Sequence, residues 1–397
     1  MKFLTVKQFS FFILLAMLIT SCSKSTDGIT PAGGNPGGTP SGGGNGTPAF
    51  KVNVTTIAGK LGDHGNAEDG QGGAARFWNP TKMVFDNRNN TLYVADGNTI
   101  RAIDQQNNAS TYMPLGTISR FSEIFDIDLA PGAMGGTLYF TTKENDLIKI
   151  EPAGNTFTIT KIIDRIYGGN EIGAVNAADE LDLPYGVASG ANGEIYFFNE
   201  PWNTLHRIKL SSATTGTVEP FAGKALTTRG GNGNPYPYQD GQGEAATFSG
   251  RVADIASDSK GNIYVADFDN ELVRKVSPTG AVSSLFPFKN RIGYDVDGPI
   301  ANAQSNSVTQ VTASSDGSNI FFTTYGNAAN NLSALRLVRP GKDVSTLVGY
   351  GYSNYYGDGP GKTAGLAQIG GIAATPDGKT IYVSEPGNKV IRKVTIE

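Results

Sequence analysis

The chain has 397 residues and a net charge of −4 at neutral pH, and 52 of its residues are glycine. This charge argues against non-specific nucleic-acid binding, which requires a basic surface. The single cysteine and the two histidines exclude a disulfide framework and a zinc centre with three histidine ligands. The hydrophobic fraction of 39% is sufficient for a large folded core.

The first 21 residues have the pattern of an export signal. Lys2 and Lys7 precede an apolar run over residues 9–19, and the run ends in Leu18-Ile19-Thr20-Ser21-Cys22. This ending resembles the lipobox of bacterial lipoprotein signal peptides. The resemblance implies cleavage before Cys22 and lipidation of that residue. The alternative is an ordinary secretory signal that is followed by an unmodified cysteine.

Residues 22–49 combine Cys22 with a segment of glycine, proline, serine, threonine and asparagine. Because such a segment cannot form a buried face, it is expected to be a flexible linker. We therefore expect an outer-membrane lipoprotein that faces the periplasm or the cell surface. Its contact with the membrane would be the lipid anchor alone.

One strand pattern recurs six times between residues 50 and 397. It consists of an aliphatic residue, an aromatic residue and two or three small or apolar residues. The copies begin at Leu92, Leu138, Ile195, Ile263, Ile320 and Ile381. Their mean spacing of about 58 residues suits a four-stranded blade with long loops. The sequence around each copy predicts one strand before it and two strands after it.

Short motifs around these strands are typical of a known repeat. They include Val54-Thr55-Thr56-Ile57-Ala58-Gly59 and Asp69-Gly70-Gln71-Gly72, with counterparts in Asp240-Gly241-Gln242-Gly243 and Asp358-Gly359-Pro360-Gly361. Over roughly residues 50–397 the chain resembles NHL-repeat proteins, most closely the exported lipoproteins of Bacteroidetes-type Gram-negative bacteria. The resemblance implies an all-β, TolB-like fold, the six-bladed β-propeller.

The order of the strands predicts how the propeller closes. The domain begins with a fourth-type strand near Val54 and ends with a third-type strand over residues 390–396. Pairing these two strands would complete the last blade and remove two unprotected sheet edges.

The long connections identify the candidate binding face. In a propeller the fourth-to-first and second-to-third connections share one face, and here the longest are residues 59–80, 165–183, 223–250, 288–307 and 349–369. Long loops on a rigid scaffold commonly bind ligands, and aromatic side chains provide stacking surfaces. The candidate ligand-binding residues are Trp78, Tyr185, Trp202, Arg251, Tyr294, Tyr325 and Tyr350. Arg251 could bind an anion at the channel mouth or form a salt bridge to a neighbouring blade.

Other polar residues are interpreted as structural. The Asp-Gly-x-Gly loops have one acid each and lack the alternating carboxylates of a calcium loop. Pairs such as Asp96 with Arg101 and Asp267 with Arg274 recur with the repeat, which predicts structural pairing between blades. His206 is expected on a third strand at a blade surface.

Three classes of function remain open. The favoured one is a monomeric binding module that takes a glycan or a protein ligand on the long-loop face, with no cofactor, metal or catalytic residue assigned. The second is a metal-assisted hydrolase or lyase, or a lactonase. Resemblance to six-bladed lactonases would place Glu123, Asn203 and Asp254 around the channel. The third is a structural scaffold in an outer-membrane complex.

Overall fold

The computed structural model of the chain describes most of the segment from residue 50 to residue 397. The described residues are 50–63, 65–114, 123–130, 132, 135–154, 156–163, 175–176, 184–199, 203–212, 216–225, 238–288, 295–325, 333–349, 357–361 and 364–397. Cys22 and the predicted signal and linker lie outside this part, so their assignments stay predictions. Among the described residues, no helix is long and apolar enough to cross a membrane.

Within the described ranges the strands form six sheets, which are the blades of a β-propeller. The first strand, β1 (Val52–Ala58), belongs to the last blade. Blade 1 contains β2 (Gly70–Gln71), β3 (Pro80–Asp86), β4 (Thr91–Asp96), β5 (Thr99–Ile103) and β6 (Asn108–Met113). Blade 2 contains β7 (Ile124–Leu129), β8 (Leu138–Thr142), β9 (Leu147–Ala153) and β10 (Thr156–Ile163).

The remaining blades follow the same order. Blade 3 contains β11 (Val175–Asn176), β12 (Pro184–Ser189), β13 (Ile195–Asn199), β14 (Thr204–Leu210) and β15 (Gly216–Ala222). Blade 4 contains β16 (Gly241–Gln242), β17 (Val252–Ser257), β18 (Ile263–Asp267), β19 (Leu272–Val276) and β20 (Ala281–Ser284). Blade 5 contains β21 (Gly298–Pro299), β22 (Val308–Ala313), β23 (Ile320–Tyr325), β24 (Ser333–Arg339) and β25 (Asp343–Val348). Blade 6 contains β26 (Gly359–Pro360), β27 (Gly371–Ala374), β28 (Thr380–Glu385), β29 (Val390–Ile396) and β1. Three-residue 3-10 helices occur at Gly72–Ala74, Gly243–Ala245 and Phe268–Asn270.

The recurring pattern forms the second strand of every blade. These strands are buried along almost their whole length, as in Ile263–Asp267 of β18. A strand with blades packed on both of its faces has no solvent side, so both sets of alternating side chains are apolar or small. The six-bladed all-β fold predicted from the sequence is therefore confirmed.

The predicted closure is also confirmed. Strand β1 pairs antiparallel with β29, with Val54 opposite Val394 and Ala58 opposite Ile391. At the end of the ladder, the Lys51 and Glu397 backbones exchange two hydrogen bonds of 3.1 and 2.9 Å. Blade 6 therefore takes its outer strand from the start of the domain.

The apolar core is divided among the blade interfaces. The cluster that joins blade 6 to blade 1 contains Ala58 and Ile391 on one side and Leu92 and Val94 on the other. Phe77, from the segment that leads into β3, lies in the same cluster and is fully buried. Phe248 has the corresponding position between blades 3 and 4. The Ala-x-Phe segments of the sequence therefore fill the wedges between neighbouring sheets.

Buried arginines connect each regular blade to its Asp-Gly motif. In blade 4, Arg274 of β19 forms ion pairs of 2.9 Å with Asp267 and 2.8 Å with Asp240. It also donates to the backbone oxygens of Thr247 and Gln239 at 3.0 Å. Arg101 and Arg392 make corresponding contacts in blades 1 and 6. The prediction that these pairs connect blades is wrong, because both partners belong to one sheet: the second-to-third hairpin places them side by side.

Blades 3 and 5 vary this arrangement. Blade 5 has Thr324 where blades 1, 4 and 6 have an acid. Asp295 from the preceding connection accepts from the Thr324 hydroxyl at 2.6 Å and pairs with Arg336 at 3.3 Å. In blade 3, His206 stands in the arginine position, opposite Phe197. The expectation of a surface histidine is wrong: His206 is buried, because the repeat directs this position into the interface between blades.

Candidate functional site

A cavity of about 370 Å³ opens at one end of the central channel. Its lining comes from two kinds of segment, namely those that lead into the inner strands and the loops between second and third strands. This is the face predicted from the long connections. We call this cavity the mouth. Its described lining includes Asn79, Thr81, Lys82, Gly97, Glu123, Ile124, Phe125, Lys143, Ala253, Phe268, Thr309, Gln310, Tyr325, Gln368, Ile369 and Gly370.

The walls of the mouth combine aromatic and polar side chains. The lining includes the aromatic residues Phe125, Phe268 and Tyr325 from three different blades, and the amide-bearing residues Asn79 and Gln368. On the wall formed by blade 2, Glu123 forms an ion pair with Lys143. Apolar surface with a few convergent polar groups is the usual composition of a small-molecule site.

Lys82 of blade 1 forms the floor of the mouth. Its side chain extends across the channel to blades 4 and 5, where Nζ pairs with Asp254 and donates to Gln310 Oε1 at 2.6 Å. The Lys82 and Asp254 side chains are only 12% and 7% exposed. We call Lys82, Asp254 and Gln310 the polar floor. Lys82 borders the mouth above it and a second cavity of about 140 Å³ below it.

The floor residues have equivalent places in the repeat. In each blade one repeat position stands just before an apolar residue of the inner strand, namely Met83, Ile127, Val187, Ile255, Val311 or Ile372. This position holds Lys82, Asp126, Gly186, Asp254, Gln310 and Gly371 in turn. Gly371 permits close approach of blade 1, because a Cβ atom there would lie 2.5 Å from the Thr81 carbonyl oxygen. The two carboxylates each accept a backbone hydrogen bond from the next inner strand, Asp126 from Val187 at 2.7 Å and Asp254 from Val311 at 2.9 Å.

Burial dominates the electrostatics below the floor. It raises the pKa values of Asp126 and Asp254, although the positive charge of Lys82 opposes both shifts. Asp128 lines the lower cavity, and burial raises its pKa to about 6. Hydrogen bonds to its charged form lower the pKa but do not cancel the effect of burial. The positive charge of Lys82 therefore offsets only part of the effect of burial on the Asp126 and Asp254 pKa values.

Trp78 is an exposed aromatic residue next to the mouth. Its backbone N–H and that of Asn79 donate to the buried Asp96 carboxylate at 2.8 and 2.6 Å. Its side chain is 56% exposed, and Lys389 Nζ lies 5.1 Å from the ring centroid. Gly97, which lines the mouth, has a φ of +66°, and a Cβ atom there would lie 3.0 Å from Trp78 Cδ1. The ring is therefore held at the rim by rigid backbone.

Arg251 also lies at the rim. Its guanidinium pairs with Asp269 at 2.9 Å and stacks over Phe268, with a distance of 4.4 Å to the ring centroid. The partner Asp269 belongs to the same blade, whereas the salt bridge considered from the sequence would have reached a neighbouring one. Among the candidates, Tyr325 is half-buried in the mouth wall, so the structure brings Trp78, Arg251 and Tyr325 around one opening.

The other candidates remain predictions. Trp202, Tyr294 and Tyr350 lie outside the described residues, as does the side chain of Tyr185 in strand β12. Sequence reasoning missed Lys82, Gln310 and the ring of Phe268. Aligning the inner strands of the six repeats would have revealed Lys82 and Gln310, because they share a repeat position with Asp254.

The three residues considered for a lactonase do not form one cluster. Glu123 lines the mouth and pairs with Lys143, whereas Asp254 is part of the floor and lines the lower cavity. Asn203 precedes strand β14, where it is buried in a left-handed conformation with φ of +56°. Within the described ranges, no group of three or more His, Cys, Asp or Glu residues is arranged to hold a metal ion.

Comparison with known proteins supports the fold. No protein-family model matches the sequence. The human NHL repeat-containing protein 2 is 24% identical over 349 residues, which cover 80% of this chain and 46% of the human protein. The chain therefore spans about half the length of that relative.

Two solved structures from Bacteroides thetaiotaomicron are similar to this chain. One is a protein of unknown function, with a TM-score of 0.61 and 18% identity, and the other is an auxiliary nutrient binding protein, with a TM-score of 0.60 and 17% identity. Each similarity covers 88% of this chain and 77% of the other. At this level of identity the similarity concerns the fold.

Proposed function

We propose that this NHL-repeat six-bladed β-propeller is an exported binding protein that takes a carbohydrate ligand at the mouth of its channel. The observation that carries the proposal is the composition of the mouth, where aromatic rings and amide groups surround a cavity of about 370 Å³. An exposed tryptophan stands beside this opening. The volume is within the range of roughly 300–1,000 Å³ typical of small-molecule sites.

The chemistry of the lining favours a sugar. Aromatic faces pack against the C–H face of a pyranose ring, and amide groups both donate and accept hydrogen bonds, as sugar hydroxyls do. The described charges are paired: Glu123 with Lys143 on the wall, and Lys82 with Asp254 on the floor. Because these pairs are neutral together, the lining does not require a charged ligand. The auxiliary nutrient binding protein with the same fold is consistent with a binding role.

Replacing Trp78 with alanine is expected to weaken carbohydrate binding about tenfold or more, because an exposed ring held by rigid backbone is a typical binding hot spot. The measurement is a glycan-array screen of the folded domain, followed by calorimetric titration of the best ligand. Ile159→Ala is the control, since Ile159 is 37% exposed on strand β10 and does not line the mouth.

The outcome also separates carbohydrate from protein ligands. Equal affinities of the Trp78→Ala and Ile159→Ala variants would place the sugar elsewhere on the protein. A blank array together with specific capture of a protein through the mouth residues would favour the protein-ligand alternative.

We also propose that residues 1–21 direct export and that lipidation of Cys22 anchors the protein to the outer membrane through the linker of residues 22–49. The support is the order of charged, apolar and small residues before the single cysteine of the chain. Cells that express the wild type are expected to incorporate labelled palmitate into the protein, whereas Cys22→Ala is expected to lose all of the label. Equal labelling of both proteins would contradict the anchor.

A further inference from the structure

The mouth is closed at its base by side chains that come from opposite sides of the channel. Lys82 starts from blade 1, and its partners Asp254 and Gln310 belong to blades 4 and 5. These three side chains are largely buried, and Lys82 contacts the cavities on both sides. A ligand that enters from the long-loop face therefore reaches the polar floor and stops there.

We infer that the mouth binds the end of a saccharide chain and not its interior, an inference that rests on the proposed carbohydrate-binding function. A chain bound through its interior needs two exits from the site. Along its described lining the mouth ends at the polar floor, and its volume of about 370 Å³ is near the lower limit for small-molecule sites. A terminal sugar fits this geometry, with the rest of the chain leaving through the opening.

The rim provides a place for the second sugar. Asn79 and Gly97 line the mouth, and Trp78 contacts both of them: it precedes Asn79 in the chain, and its ring packs over Gly97. A chain that leaves the mouth on the side of blade 1 would pass over the exposed Trp78 ring. The terminal sugar would then contact the floor while its neighbour stacks on Trp78.

The floor selects for a neutral, hydroxyl-bearing end. Lys82 and Asp254 form a buried ion pair, so the floor offers hydrogen-bonding groups without a net charge. Gln310 accepts from Lys82 through Oε1, and it is one of the residues that line the mouth.

The test uses linear hexaoses of glucose, mannose and xylose, each with free ends and with both ends O-methylated. For the series that binds the wild type, methylation of both ends is expected to reduce the affinity about tenfold or more, because the floor cannot accommodate and hydrogen-bond a blocked end. Calorimetric titration measures both forms. Equal affinity of the free and blocked chains would overturn end recognition, while the Trp78→Ala result would still support carbohydrate binding.

A floor variant provides the second readout. Gln310→Met keeps the length of the side chain and removes its amide, and it is expected to weaken binding of the free-ended hexaose about tenfold. The matched control is Gln242→Met, because Gln242 is exposed on strand β16 at the outer edge of blade 4. If the two variants bind equally, the floor does not contact the ligand. If neither the hexaoses nor any glycan of the array binds the folded wild type, both the end recognition and the carbohydrate function are rejected.

Discussion

Replacing Arg274 with methionine is expected to lower the free energy of unfolding by about 3–5 kcal/mol. The Arg274 side chain is fully buried, and it pairs with the equally buried Asp267 and with Asp240. It also donates hydrogen bonds to the backbone oxygens of Thr247 and Gln239 in the connection from blade 3. Methionine fills similar space but leaves the Asp267 carboxylate without its cation, which is the costly part of breaking a buried pair.

The matched control for this prediction is Arg251→Met. Arg251 also pairs with an aspartate at 2.9 Å, but its side chain is 62% exposed, and exposed ion pairs contribute only about 0–1 kcal/mol. Urea unfolding followed by circular dichroism measures both variants. If the free energy of unfolding of Arg274→Met is within about 1 kcal/mol of the wild-type value, the buried ion pairs of Arg274 do not make a large contribution to stability.

Replacing Val54 with aspartate is expected to destabilise the propeller by about 4 kcal/mol or more, because the substitution removes a buried aliphatic side chain and introduces an unpaired carboxylate. Val54 is fully buried in strand β1, opposite Val394 and in the core that joins blades 5 and 6. The whole domain is affected, since β1 is the strand that closes the ring. Thermal and urea unfolding measure the loss.

Thr55→Asp is the control for the closing strand. Thr55 is the next residue of β1, it is exposed, and its partner across the ladder is Lys393. An aspartate there is expected to change the unfolding free energy by less than about 1 kcal/mol. Similar losses for Val54→Asp and Thr55→Asp would contradict the role of β1 as a buried closing strand.

The fold could be predicted because the same strand pattern recurs in all six repeats. In each repeat an apolar and aromatic pattern identifies the second strand. The domain begins with a fourth-type strand at Val54 and ends with a third-type strand at Ile391, and this order predicts the closure without knowledge of the loop structures. The sequence predicts a structural role for the Asp-Gly motifs but not their partners. In the structure Asp240 pairs with Arg274 and accepts from the Ser284 hydroxyl at 3.0 Å. Periodicity alone could not give these partners, because they come from separate strands.

The polar floor could not be predicted from local pattern. Lys82, Asp254 and Gln310 are far apart in sequence, and each lies at an irregularity in the register of its inner strand. Such irregularities change the direction of a side chain. A strand read with strict alternation would assign these positions to the wrong face. The wrong expectation that His206 lies at a blade surface has a related cause. A polar residue on a third strand suggests a solvent-facing position, but in other blades this position holds a buried arginine.

The decisive measurement is a crystal structure of the domain with its bound oligosaccharide. It is expected to contain the terminal sugar inside the mouth, within hydrogen-bonding distance of Lys82 or Gln310, and the second sugar stacked on Trp78. A ligand on the opposite face, or along the outer strands of the blades, would contradict the assignment of the mouth as the binding site.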